Sequence, residues 1–313
     1  MYFPYLRGKQ FELIALREFS VFMSSKKDKI SPIIEPVKDS STLKSTLKEL
    51  AENNINFNFI INPRVGNFKN FHTELLEILE ETLGDYENFQ LSIIVDKITQ
   101  QGIQELLKFT NNIDLKHNGF TLIHTSEIGK NHIEQLNDNL DIKYNLIYFK
   151  NTSRRYYREF KPETRVSLDD YFKKLEKNSD YLKVPVSDFS EEYKFYSDDN
   201  FVGFSDFLTI GDFYSESGFL PRAVAIHLSY IEANKIIKVR HFTSDSNQDS
   251  SDIAGKFSEA LQKLVDWCIK EEITETKGIK MFKDLHQRGH FPGLGSIKKI
   301  STINHIELVA NNI

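Results

Sequence analysis

The first half of the chain repeats one pattern, in which a short apolar run is followed by a polar residue and then by an amphipathic helical stretch. The apolar runs are ISPIIEPV, FNFIINPRVG, FQLSIIVDKI and GFTLIHTSEI, and the helical stretches are STLKSTLKELAENN, NFHTELLEILEETL, QQGIQELLKFTNN and NHIEQLNDNL. Strands that are continuously apolar are typical of parallel sheets covered by helices on both faces. The alternation therefore predicts an α/β fold built on a parallel sheet.

The number of strands favours a closed barrel over an open doubly wound sheet. We count eight predicted strands, near residues 2–6, 31–37, 57–62, 90–96, 120–124, 145–150, 200–204 and 222–229. No G-x-G-x-x-G motif follows the first strand, so a dinucleotide-binding sheet lacks its signature. We therefore predict a TIM-like (β/α)8 barrel.

The second half of the chain is less regular. Residues 151–199, which include RRYYREF, are long, charged and aromatic, and they predict an insertion or flap at the barrel mouth. The aromatic and arginine residues of RRYYREF suit either base stacking with phosphate contacts or packing on the barrel. AVAIHLSYIEANKIIKVRHF predicts an extra hairpin that turns at Glu232, Ala233 and Asn234. Helices follow at about 252–272 and 277–288 and in STINHIELVANN. No Pro-, Gly- or Ser-rich linker divides the chain, so residues 1–313 are predicted to form a single domain.

Polar residues lie at the ends of most predicted strands. They are Glu35, Asn62, Arg64, Asp96, Lys97, His124, Lys150, Ser205, Asp206 and His227. In a (β/α)8 barrel the carboxyl ends of all strands converge on one mouth, where binding and catalytic residues collect. We select as catalytic candidates Glu35, Asp96, Asp206 and His227. We select as anion-binding candidates Arg7, Arg64 and Lys97. The structural alternative is that each residue caps the next helix or marks the return of the chain to water.

A metal site is a further hypothesis for the same mouth. Glu35, Asp96, Asp206 and His227 together would offer an oxygen-rich site for Mg²⁺ or Mn²⁺. The sequence contains no H-E-x-x-H motif, no H-x-H motif and no cysteine cluster, so a zinc site has no support.

The stretch HQRGHFPGLG at 286–295 is the densest cluster of glycine, proline and charged residues in the chain. A helix precedes it and no lysine lies inside it, so it is not a P-loop. Gly289 is predicted to end that helix in the left-handed conformation, and Phe291 to anchor the loop. We expect this corner to direct Arg288 and His290 toward the rest of the chain, with Arg288 binding an anion and His290 transferring protons. The alternative is a structural corner only.

Charge and composition exclude several classes of protein. The net charge of −5 is not that of a nucleic-acid-binding polycation, although a local basic patch remains compatible with it. Cys268 is the single cysteine, so there is no disulfide framework, and its helical context predicts a buried thiol. The N-terminal MYFPYLRGKQFELIALREF is not a signal-peptide pattern, and no run approaches the ~20 apolar residues of a membrane span. We expect a cytoplasmic protein without a membrane segment.

Several motifs resemble those of a bacterial family related to the phage and bacterial "beta protein" family. They are MYFPYLRGKQFELIALREF, GFSDF, AVAIHLSY, VRHFTSDS, AGKFSEAL, GHFPGLG and KKISTINHIE, which are spread over nearly the whole chain. The resemblance implies a barrel-like α/β fold and a place in mobile or phage-defence gene neighbourhoods. It implies no particular reaction and transfers no catalytic residue.

Two hypotheses of function follow. In the first, the protein is a barrel hydrolase, of the phosphodiesterase kind, that acts on a nucleotide or on a nucleic acid. The strand-end carboxylates then supply acid, base or metal ligands, the cations hold phosphate, and His227 or His290 transfers protons. In the second, the barrel is a non-catalytic binding or sensor protein, or the partner subunit of a bacterial defence system whose other protein is encoded nearby.

Overall fold

The computed structural model of the chain describes residues 1–69, 72–153, 155–216, 220–233 and 235–313. The chain divides into two compact units. Unit 1 comprises Met1–Asp169 and Lys194–Asp206, and unit 2 comprises Asp170–Tyr193 and Phe207–Ile313. Each unit is built from two separate stretches of sequence, so no single linker marks the division. The single-domain prediction for 1–313 stays a prediction, because compact units need not fold independently.

Unit 1 contains a closed barrel of eight parallel strands, which confirms the predicted TIM-like (β/α)8 fold. The barrel strands are β1 (Tyr2–Leu6), β2 (Ile33–Ile34), β3 (Phe57–Ile60), β4 (Phe89–Val95), β5 (Phe120–His124), β6 (Ile142–Tyr148), β7 (Arg165–Asp169) and β9 (Gly203–Asp206). Neighbouring strands pair in parallel in the order β1-β2-β3-β4-β5-β6-β7-β9, and β9 closes on β1. All eight carboxyl ends therefore share one end of the barrel, which we call the mouth.

Five helices connect the first six strands. They are α1 (Gln10–Ser25), α2 (Ser41–Glu52), α3 (Thr73–Leu83), α4 (Gln100–Asn111) and α5 (Lys130–Asn139). Helix α2 shows why these stretches are helical, because Leu43, Leu47 and Leu50 recur every three or four residues and form its buried face. Its N-cap is Ser40, and the Ser40 hydroxyl accepts a hydrogen bond from the Leu43 N–H at 3.2 Å.

One predicted barrel strand is wrong, and one barrel strand was missed. The stretch 222–229 does not close the barrel, and the strand that was missed is β7, with the sequence RVSLD, inside the predicted flap at 151–199. Charged residues surround RVSLD and its apolar run is short, so its alternation was hidden in a segment that is polar on average. The flap prediction therefore fails for 165–169, and residues 170–193 belong to unit 2.

The RRYYREF stretch packs on the barrel. Its first arginine, residue 154, lies outside the described residues. The following residues form a short 3-10 helix, Tyr156–Glu159, and a second one follows at Pro162–Thr164. Tyr156 is buried, while Arg155 and Arg158 are exposed. The aromatic residues of this stretch thus have the packing role that was one of the two alternatives.

The register of the strands decides which side chains fill the barrel. Phe3 of β1 contacts Tyr144 of β6 with ring centroids 4.9 Å apart, and strands three places apart in the barrel meet only through its interior. Phe3 and Tyr5 therefore point inward, and Tyr2 and Pro4 point outward. Ile33 pairs with Tyr5 and so also points inward. Glu35 lies two residues after Ile33 and therefore points to the inside as well.

Unit 2 combines a three-stranded antiparallel sheet with three long α-helices. The strands are β8 (Val186–Ser190), β10 (Ala225–Ile231) and β11 (Ile237–Thr243), in the order β10-β11-β8, and the helices are α7 (Ile253–Lys270), α8 (Lys277–Gln287) and α9 (Leu294–Ala310). A four-residue helix, α6 (Glu192–Phe195), follows β8. The predicted hairpin is confirmed as β10 and β11, although residue 234 of its turn lies outside the described residues. The predicted C-terminal helices are also confirmed, but α9 begins at Leu294, earlier than expected.

The HQRGHFPGLG corner is built as the sequence predicts. Gly289 adopts φ +57°, its N–H donates to the His286 carbonyl at 3.1 Å, and the His290 N–H donates to the Leu285 carbonyl at 3.0 Å. These two bonds form a Schellman motif that ends α8. Phe291 packs on the core of unit 2, with its ring centroid 5.4 Å from that of Phe257.

Candidate functional site

Glu35 is the central residue of the barrel mouth. It follows β2, points inward and is completely buried. Among the described residues, three donors reach its carboxylate. The Tyr5 hydroxyl donates to Oε2 at 2.8 Å, the Arg7 guanidinium forms an ion pair with Oε2, and the Arg64 backbone N–H donates to Oε1 at 2.8 Å. Burial, followed by the charge of Glu35, raises the pKa of Tyr5 well above its usual value, so Tyr5 stays a neutral donor.

Arg7 is held on several sides. Its side chain is only 12% exposed, its guanidinium carbon lies 5.1 Å from the centroid of the Tyr5 ring, and its backbone N–H donates to Oε2 of Glu12 at 2.6 Å. Gly8 follows with φ +60°, and a Cβ at this position would come within 2.6 Å of the Glu35 carbonyl oxygen. The loop after β1 can approach Glu35 this closely only because residue 8 is glycine.

Arg64 connects three neighbouring loops of the mouth. It lies after β3, and its Nη2 is 2.9 Å from Oδ2 of Asp96, after β4, and 2.5 Å from Oγ1 of Thr125, after β5. The side chains of Arg64 and Asp96 are 39% and 41% exposed. This ion pair therefore lies in contact with solvent, unlike the pair between Arg7 and Glu35.

Lys97 is an exposed residue next to that pair. Its φ of +39° is unusual for a residue with a side chain, and its N–H donates to the Ser126 hydroxyl at 2.6 Å. The hydrogen bond holds the backbone in a conformation that the free chain disfavours, so the loop after β4 stores a small amount of strain at the mouth.

Two of the predicted strand-end residues point away from the mouth interior. Asp206 pairs in register with Pro4, so it faces outward, where its Oδ1 accepts from the Tyr2 hydroxyl at 2.8 Å. His124 also faces outward, 3.1 Å from Oδ1 of Asn145 and 3.0 Å from the Tyr156 hydroxyl. Burial lowers the pKa of His124 to about 4, so the ring is neutral at pH 7. The proposed catalytic role of Asp206 in the mouth therefore lacks its geometric basis.

The histidine and arginine candidates of the second half belong to unit 2. His227 lies on β10 of the three-stranded sheet and not at the end of a barrel strand. Arg288 and His290 are exposed, and Arg288 forms an ion pair with Asp284 at 2.5 Å on α8. The prediction that Arg288 and His290 face the rest of the chain is wrong, because the Schellman motif turns both residues outward.

The four-residue metal site is not assembled. Glu35 points inward, Asp206 points outward and His227 lies in unit 2. Within the described ranges, no three side chains of the His, Cys, Asp or Glu type are grouped closely enough to hold a metal ion.

Sequence reasoning missed the residues that support the site. Tyr5, Glu12 and Thr125 each contact a predicted mouth residue, and two glycines bring the loops together. Gly66, with φ +76°, leaves no room for a Cβ beside the Val37 carbonyl, and Gly8 plays the same part after β1. The sequence did carry a signal for these close approaches, because a glycine follows shortly after two predicted strands, in LRGK and in PRVG.

The comparisons with known proteins add little to this description. No protein-family model and no curated protein matches the chain. Among solved structures, this chain is similar to a chain from the tryptophan synthase α2β2 complex of Pyrococcus furiosus. The match covers 65% of this chain and 85% of the Pyrococcus chain, with 10% identity and a TM-score of 0.37. The barrel assignment rests on the strand order itself. In the part of the chain that the structure describes, none of the helices is long and apolar enough to cross a membrane.

Proposed function

We propose that the barrel mouth binds a phosphate-bearing ligand of the nucleotide class. The observation that carries this proposal is the exposed guanidinium of Arg64, at the meeting point of the loops after β3, β4 and β5. A guanidinium presents parallel N–H groups that match two phosphate oxygens, and the mouth of a (β/α)8 barrel is where such ligands bind.

The two ion pairs of the mouth have different roles in this proposal. An exposed pair such as Arg64–Asp96 contributes about 0–1 kcal/mol, so a ligand anion can replace the carboxylate at low cost. A buried pair such as Arg7–Glu35 costs about 3–5 kcal/mol to break, because one charge is left uncompensated. Arg64 is therefore the exchangeable cation, while Arg7 and Glu35 fix the floor of the site.

Lys97 supplies the second cation. It is exposed, and it follows Asp96 directly on the loop that Arg64 contacts. Displacement of Asp96 from Arg64 by a ligand would place two positive side chains beside the incoming phosphate. A ligand with two linked phosphates suits this arrangement better than a single inorganic phosphate does.

Binding without hydrolysis is the better-supported of the two hypotheses of function. Three donors already occupy the Glu35 carboxylate, which favours an anchoring role over that of a general base. Of the residues assigned to phosphodiesterase chemistry, Asp206 faces out of the barrel. Among the described residues, no three His, Cys, Asp or Glu side chains are grouped closely enough to hold a metal ion. The hydrolase stays a hypothesis, and the link to a bacterial defence system rests on the family resemblance alone.

A thermal-shift panel tests the proposal. The ligands are inorganic phosphate, pyrophosphate and nucleoside mono-, di- and triphosphates, each with and without Mg²⁺. We expect stabilisation by pyrophosphate and by the di- or triphosphates, since a ligand that binds only the native state raises the free energy of unfolding. Arg64→Ala should abolish the shift.

Arg288→Ala is the matched control, because Arg288 is also an exposed arginine in an ion pair with an aspartate. It should leave the shift unchanged. No shift with any phosphate compound, or an equal loss in both variants, would contradict the proposal. Release of phosphate from a bound nucleotide would instead restore the hydrolase hypothesis.

A further inference from the structure

Three polar side chains on one face of the unit 2 sheet form a continuous hydrogen-bonded chain. Ser187 of β8 pairs in register with Val239, and His241 lies two residues further along β11, opposite His227 of β10. The Ser187 hydroxyl oxygen is 3.0 Å from Nε2 of His241, and Nδ1 of His241 is 2.8 Å from Nδ1 of His227. A hydroxyl, an imidazole and an orienting group in this order are the arrangement of an activated nucleophile.

The protons in this chain can be placed in two ways. Each imidazole is neutral, since burial lowers the pKa of His241 to about 4 and burial together with His241 lowers that of His227 to about 3. In one arrangement His241 donates from Nδ1 to His227, which leaves Nε2 of His241 to accept the Ser187 proton. In the other, the direction of both bonds is reversed. The first arrangement makes His241 a base for Ser187.

Aromatic rings hold the two imidazoles in place. The Tyr181 ring centroid lies 4.7 Å from that of His227 and 4.4 Å from that of His241, and the Phe172 centroid lies 5.1 Å from that of His227. The opposite face of the sheet carries the hydrophobic core with α7 and α8. The polar chain therefore lies on the face away from that core, and His227 is only half-buried.

Positive charge lies close to the same face. The charge of Lys298, near the start of α9, lowers the pKa of His227 further, and it also lowers the pKa of Lys174. The pKa of Lys174 is lowered by burial first and by Lys298 second, while Asp170 opposes this effect. We expect the charge of Lys298 to favour an anionic substrate over a neutral one, and the second test below compares the two.

We propose that Ser187, His241 and His227 form an acyl-transfer site for small esters of anionic carboxylic acids. Ser187 Oγ attacks the ester carbonyl carbon as its proton passes to Nε2 of His241. The C–O bond to the alcohol then breaks, and the alcohol leaves with that proton. Water, deprotonated by His241, attacks the acyl-serine, releases the acid and returns the proton to Ser187. His227 is a positioning residue that holds the His241 ring.

The first test is covalent labelling of the full chain with a fluorophosphonate. Ser187 Oγ should bond to phosphorus with loss of fluoride, and mass spectrometry should locate one adduct on the peptide that contains Ser187. His241→Gln should slow labelling about 100-fold, the order of magnitude of a general base. Ser190→Ala, on the same strand, is the matched control and should label normally. An adduct elsewhere, or a rate that His241→Gln leaves unchanged, would overturn the proposal.

The second test uses two chromogenic esters, p-nitrophenyl hydrogen succinate and its neutral counterpart, p-nitrophenyl butyrate. The anionic ester should be the better substrate, Lys298→Ala should remove the preference, and Ser187→Ala should abolish turnover. His227→Gln should lower kcat and alter its pH profile with little change in KM. Turnover that survives Ser187→Ala in a folded protein would refute the acyl-transfer site. Neither test involves the barrel mouth, so their failure leaves the proposed phosphate binding untouched.

Discussion

A buried carboxylate, Glu35, fixes the positions of three strand-end loops at once. Tyr5 contacts it from strand β1 and Arg7 from the loop after β1. The Arg64 N–H contacts it from the loop after β3. Hydrogen bonds to a buried charge contribute more than neutral ones, and their loss leaves the charge without compensation. The residues of this cluster therefore affect stability, while the exposed residues around it affect binding.

Arg7→Met should destabilise the protein by about 3–5 kcal/mol, because it leaves Glu35 buried without its counter-charge. The double variant Arg7→Met with Glu35→Gln should recover a large part of that loss, since the uncompensated charge is also removed. Urea unfolding of the two variants and of wild type gives the comparison. Equal stability of the single and double variants would show that the pair is not coupled.

Lys97→Gly should separate stability from binding. Glycine adopts a positive φ at little cost, so removal of the strain should raise the free energy of unfolding by roughly 0.5–1 kcal/mol. The same change removes a mouth cation and should weaken pyrophosphate binding. Asparagine tolerates a positive φ better than lysine does but less well than glycine. Lys97→Asn should therefore weaken pyrophosphate binding without the full gain in stability. A less stable Lys97→Gly variant would contradict the strain argument.

At the scale of elements, the strand–helix repeat was enough to predict the barrel, and the strand ends were enough to predict Arg7, Glu35, Arg64, Asp96 and Lys97 near the mouth. Asp206 could not be placed from sequence, because a shift of one residue in register turns a side chain from the inside to the outside. Strand β7 was missed because charged residues surround its short apolar run, and the sequence does not show which strands it pairs with. The Schellman corner was predictable, since it depends on local backbone geometry alone.

The corner after α8 provides a test at this scale. Gly289→Val should destabilise the protein by about 1–2 kcal/mol, because a β-branched residue is strained at φ +57°. Gly289→Asn should cost less, since asparagine tolerates the left-handed region. Thermal unfolding compares the two variants. Equal stability of both variants and wild type would show that the left-handed conformation at residue 289 is not required.

At the scale of the whole molecule, acid stability depends on three histidines whose pKa is lowered to about 4 or below. The folded pKa values of His124, His227 and His241 are about 4, 3 and 4, below the ordinary value of 6.5. The unfolded chain therefore binds more protons below about pH 6.5, and stability falls as the pH falls toward 4. Three such groups give a slope on the order of 4 kcal/mol per pH unit near pH 5.

His124→Gln should reduce that slope by about one third, because one of the three proton-binding differences is removed. Guanidinium unfolding at several pH values between 7.5 and 5 measures the slope. His286→Gln is the control, since His286 is half-exposed on α8 and should leave the slope as it is. An unchanged slope for His124→Gln would mean that this ring is protonated in the native state.

The proposed binding depends on the exchange of Asp96 for a ligand phosphate on Arg64 at the barrel mouth. Calorimetric titration of pyrophosphate into wild type and Asp96→Asn tests it most directly, because Asp96→Asn removes the competing carboxylate and keeps the side chain's shape. We predict binding about 2- to 5-fold tighter in Asp96→Asn, the equivalent of an exposed ion pair. Unchanged or weaker binding in that variant would contradict the exchange.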